Sequence, residues 1–136
     1  MIASVRGGMV WTLALACSLG ASAAGEEAKR TSPTIARESA DQNARTPAGR
    51  RYQTALEAHL DQWLKKALER CAKGVPKDEL ASFEAFVCVS GAGESEELIF
   101  VPETDVSRCV EPDFRDAKYP QPPEARWWVR VAIRMR

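Results

Sequence analysis

Residues 127–136 read WWVRVAIRMR, and their alternation decides the fold. Trp127, Val129, Val131, Ile133 and Met135 fall on one side. Trp128, Arg130, Ala132, Arg134 and Arg136 fall on the other. Successive side chains of a strand point to opposite faces, so this period of two predicts a β-strand with one buried and one wetter face.

Its partners lie upstream. Phe83 to Ser90 (FEAFVCVS) is aromatic and β-branched and reads as a strand. Gly91-Ala92-Gly93, followed by an acidic run, turns the chain, and Leu98 to Val101 (LIFV) makes a second strand paired with the first as a hairpin. Between Asp105 and Lys118, the apolar positions Val106, Cys109, Val110, Phe114 and Ala117 recur at helical spacing. Thr104 or Asp105 can cap that helix, and Pro112 predicts a kink or a restart inside it. The KYPQPP segment, residues 118–123, reads as extended polyproline II.

The remaining regular segment precedes the strands. From Arg51 to Ala72 the stripe Tyr52, Leu56, Leu60, Trp63, Leu64, Ala67, Leu68 and Cys71 advances in steps of three and four. That is one amphipathic helix, stopped by Lys73-Gly74 and Pro76. The order helix, strand, strand, helix, strand predicts a small α+β domain over residues 51–136, with a three-stranded antiparallel sheet and two helices. Residues 25–50 carry one large aliphatic side chain, Ile35, among charged, small, Pro and Gly residues. Such a stretch buries too little apolar area to offset its ordering entropy and reads as a disordered polar linker.

Residues 1–24 have the pattern of a cleavable export signal. Arg6 is the positive charge, Met9 to Ala16 the apolar run, and small residues end it, with cleavage expected after Ala23 or Ala24. The chain is therefore expected to be exported from the cytoplasm. A second reading places the cut before Cys17, in a lipobox-like Ala14-Leu15-Ala16-Cys17, and makes the chain a membrane-anchored lipoprotein. Basic and acidic residues balance at 19 each, so no basic field points to nucleic acid. Beyond the signal, Cys71, Cys88 and Cys109 allow one bridge and one leftover thiol in an oxidising compartment. Cys71 ends the first helix on its buried stripe, and Cys109 lies on the apolar side of the second. All three pairings stay open on the residues alone.

The chain offers no set of residues for catalysis. His59, the one histidine, sits beside the apolar stripe and reads as half-buried and structural. Glu94, Glu96, Glu97, Glu103 and Asp105 lack a calcium-loop pattern and read as a solvated hairpin tip. No GxSxG and no phosphate-binding Gly loop occurs. Neither an enzyme activity, a metal nor a cofactor is expected.

The hairpin with Gly91 and Gly93 in its turn, the KYPQPP segment and the amphipathic last strand together resemble the C-terminal periplasmic domain of the TonB family, over roughly residues 81–136. The resemblance implies binding: that domain engages short extended segments of outer-membrane proteins by strand pairing. It implies a peptide-binding edge strand here, with Arg130, Arg134 and Arg136 beside an incoming acidic peptide, and a protein or peptide partner in the periplasm or outer membrane. The competing reading gives the charged edge a protective role, or pairs its arginines with the acidic hairpin. A family variant carries one Cys before the first strand and one in the helix, so the resemblance implies a Cys71–Cys109 disulfide with Cys88 left free. Cleavage of the signal would cut any link to an inner-membrane motor, so energy transduction is not expected.

Overall fold

A computed structural model describes residues 30–135. The expected signal peptide, the lipidation candidate Cys17 and the edge-strand candidate Arg136 lie outside the described residues. Within that span the fold is α+β. Helices α1 (Pro33–Arg45), α2 (Pro47–Leu60) and α3 (Leu64–Ala72) come first. A 3₁₀ turn (Lys77–Glu79), strands β1 (Phe83–Val89) and β2 (Ser95–Val101), helix α4 (Asp105–Asp116) and strand β3 (Trp127–Ile133) complete the chain order. The sheet is antiparallel in the order β2-β1-β3, with β1 central and β3 at an edge.

The apolar side of β3 is buried, as its alternation predicts. Trp127, Val129, Val131 and Ile133 join Phe83, Ala85, Val87 and Val89 of β1 in the main core. Onto that face pack Tyr52, Leu56 and Leu60 of α2, Ala67 and Cys71 of α3, and Val106, Val110 and Phe114 of α4. Phe100 meets both Phe83 and Phe114 edge-on, at 5.8 and 5.5 Å between ring centroids.

The opposite face of the sheet overturns one expectation. Residues 33–45, expected to be disordered linker, form α1 and cover it. Phe86 and Cys88 of β1 and Trp128 of β3 are buried against Ala36 and Ala40 of α1. Two methyl-sized side chains four positions apart let a helix lie close on a flat sheet. The start of α1 has its own cap, because Ser32 Oγ accepts from the Ile35 N–H and Pro33 stands at the first helical position. The same device recurs at α2, where Thr46 Oγ1 accepts from the Gly49 N–H and Pro47 starts the helix. Thr46 is thus the whole joint between α1 and α2. Its corner is tight: a Cβ on Gly49 would stand 1.7 Å from the Asn43 carbonyl oxygen.

Two helices differ in detail from the sequence reading. The single helix expected over 51–72 is broken at residues 61–63. There the Gln62 and Trp63 N–H groups donate to His59 and Leu60 three residues back. Trp63 leaves helical geometry at φ −138°, and its ring meets Phe114 at 5.2 Å. The break keeps the apolar stripe on one side. Conversely, α4 runs through Pro112 without a restart. The proline is exposed, so the Arg108 carbonyl that loses its helical donor can turn to water.

The KYPQPP segment straps the hairpin turn to the helical layer. The Tyr119 N–H donates to the Gly93 carbonyl, its hydroxyl to Phe114 O at 2.6 Å, and the Tyr52 hydroxyl to Pro120 O at 2.7 Å. Gly93 has φ +82°, and a Cβ there would lie 2.4 Å from the Tyr119 carbonyl oxygen. Only glycine fits both demands.

Candidate functional site at the outer edge of β3

The backbone of β3 has two sides. The Met135 N–H donates to Ser82 Oγ on the β1 side, and the Trp128 carbonyl accepts from Asn43 Nδ2 of α1 on the other. The register pairs odd residues with odd, from Phe83–Ile133 to Val89–Trp127. In an antiparallel ladder both polar groups of a residue point the same way. Trp127, Val129, Val131 and Ile133 therefore face β1, while Trp128, Arg130 and Ala132 turn their N–H and C=O outward.

That outer edge is closed at one end and open at the other. Beside Trp127 to Arg130 the α1–α2 corner folds across it, leaving a slot lined by Ala40, Asp41, Asn43, Gly49 and Gln53. Covering an edge with a helix corner protects it from unwanted strand pairing. The segment expected to be linker is this cover. Past that slot Ala132 is exposed, and beyond the end of β3 opens an apolar groove of about 610 Å³. Leu60, Leu64 and Leu68 of the helices, Leu80 and Met135 form its floor, with Arg134, Lys65 and Glu69 at the rim.

The two described arginines proposed from the sequence, Arg130 and Arg134, fare differently. Arg130 reaches Asp41 and Glu84, each at 3.5 Å, and Arg37 holds the same Glu84 at 2.8 Å while its guanidinium stacks 5.1 Å from the Phe86 ring centre. Arg130 thus ties α1 to the sheet as well as marking the edge. Arg134 is exposed on the groove rim. Arg126 bridges Glu96 and Glu97, Lys118 meets Glu94, and Arg108 meets Glu103 and Asp105.

Cys71 and Cys109 are disulfide-bonded, with their Cα atoms 5.7 Å apart, joining the end of α3 to α4. Cys71 lies on the buried stripe as expected. Cys109 is exposed rather than part of the apolar face, so the bridge closes over the outside of the helix pair. Cys88 is free and fully buried under α1, and burial pushes its thiol up to about 11. His59 is structural in its contacts. Its Nε2 accepts from the Trp63 indole N–H at 3.0 Å, and its ring packs 5.4 Å from Tyr119. Burial holds it below its ordinary value. Among the described residues no cluster of His, Cys, Asp or Glu could hold a metal ion.

Sequence reasoning finds the edge strand but misses its cover and the groove. The cover leaves a signal in the paired Ser32-Pro33 and Thr46-Pro47 starts. The groove residues read as core stripe, which they also serve. Comparison with known proteins finds no matching family model, no matching curated protein and no matching solved structure.

Proposed function

We propose that this chain is a TonB-like protein-binding module of the bacterial envelope, which takes an extended peptide by strand addition at the open half of β3. The observation that carries this reading is the juxtaposition of the outward-facing Arg130 and Ala132 backbone with the apolar groove beside Met135. Strand addition draws affinity from backbone hydrogen bonds and specificity from pockets for alternate side chains. A peptide paired there places every second side chain toward Leu64, Leu68, Leu80 and Met135. The intervening ones lie on the side of Arg130 and Arg134. The favoured ligand alternates apolar and acidic residues. The role is binding, not catalysis and not energy transduction.

The test uses Ala132→Pro. The Ala132 N–H points outward, so the substitution removes a donor to the peptide and leaves the β1–β3 ladder whole. Extended peptides selected against the full chain from a displayed library should alternate apolar and acidic residues and should lose at least tenfold in affinity for Ala132→Pro. Selected peptides that bind both proteins equally would remove the proposal. A second reading, a structural envelope protein anchored through Cys17, draws support from the corner over Trp127 to Arg130 and from the ion pairs of Arg130. Palmitate incorporation that disappears in Cys17→Ala would favour it.

A further inference from the structure

Helix α1 is held on the sheet in an unusual way for a covering element. Only Ala36 and Ala40 are buried in its contact, while its one large aliphatic side chain, Ile35, is 54% exposed. The rest of its hold is polar and complementary. Arg37 meets Glu84, Asp41 meets Arg130, and Asn43 takes the Trp128 carbonyl. A single residue, Thr46, joins α1 to α2 and the body of the domain. A helix hinged at one residue can leave its place without unfolding the rest of the domain, and identical contacts then become available from another molecule.

We propose that the sheet face of Phe86, Cys88 and Trp128 is a helix-docking site, that α1 is its exchangeable resident, and that it also takes α1 of a second copy of this chain. The pattern it reads is short. Two alanines four apart allow close approach, an Arg after the first meets Glu84, an Asp after the second meets Arg130, and an Asn three residues beyond that alanine caps the β3 edge. The site shares Arg130 with peptide capture at the open half of β3, but labelling of Cys88 reads helix docking alone and peptide affinity reads the strand edge.

Cys88 reports occupancy, since α1 seals it. The full chain is treated with N-ethylmaleimide and modification is read at Cys88 by peptide mapping. Arg37→Glu combined with Asp41→Lys reverses both α1 charges while Glu84 and Arg130 remain. Modification of Cys88 should then accelerate about tenfold, two partly exposed ion pairs having been turned to repulsion. A synthetic peptide of residues 30–46, the α1 of a second copy, should restore protection at millimolar concentration. The same peptide with both charges reversed should not. Asn43→Ala, a milder change, should give a smaller acceleration with the same rescue. The wild-type chain should also show a concentration-dependent dimer by light scattering. Cys88 modification that is unchanged by these substitutions, or that neither peptide slows, overturns the proposal, as does a wild-type chain that stays monomeric at every concentration.

Discussion

Removing the Cys71–Cys109 bridge gives the largest effect expected from any single feature. The bridged residues are separated by 38 positions. Closing such a loop removes about 13 cal/mol/K from the unfolded chain, or about 3.9 kcal/mol at 25 °C. Domains of this size have total stabilities of roughly 5–15 kcal/mol, so the bridge supplies a large fraction. A domain of about 100 residues unfolds with an entropy near 0.21 kcal/mol/K, so the loss corresponds to a fall in Tm of about 18 °C. The native structure should survive, because Ala67 remains in the core and Arg70 still pairs with Asp113 across the same helices. The assay is urea unfolding followed by tryptophan emission, comparing the oxidised protein with Cys71→Ala/Cys109→Ala. The midpoint should fall, and the m-value should rise, because the unbridged unfolded chain exposes more surface. A loss under about 1 kcal/mol, well below the loop-closure value, would refute the reasoning. So would a digest peptide linking Cys88 to either partner.

Gly49→Ala should destabilise by about 2–3 kcal/mol, since its Cβ meets backbone 1.7 Å away and the α1–α2 corner must shift; thermal unfolding checks it. His59 favours the neutral state when folded, so its contribution is complete above 6.5 and is lost as pH falls from there. Urea midpoints at pH 7 and pH 5 should therefore differ less in His59→Gln than in the wild type. Tyr119→Phe deletes a buried 2.6 Å hydrogen bond to the Phe114 carbonyl and should cost about 1–2 kcal/mol by chemical denaturation.

Legibility in the sequence tracks how strongly burial marks each element. The alternation of residues 127–133 and the stripe from Tyr52 to Cys71 bury large side chains, and both lie in the core where the pattern puts them. Helix α1 buries only alanines, which hydrophobic patterning does not register, so its sequence reads as linker. Its caps are the remaining trace. The break after Leu60 is hidden for the opposite reason: the stripe continues through it, and only the Trp63 ring seated on Phe114 makes it worth leaving the helix. The groove is unreadable because its floor is assembled from α2, α3, Leu80 and the chain after β3. The outward direction of Ala132 likewise depends on register, which no single strand carries.

The central claim, peptide capture at the open half of β3, is tested most directly by amide NMR of the full chain during titration with a selected alternating apolar–acidic peptide. Shifts and slowed hydrogen exchange should concentrate at the Arg130 and Ala132 amides and at Leu64, Leu68 and Met135. Shifts confined to β2 or to the hairpin turn, with Arg130 and Ala132 unmoved, would contradict it.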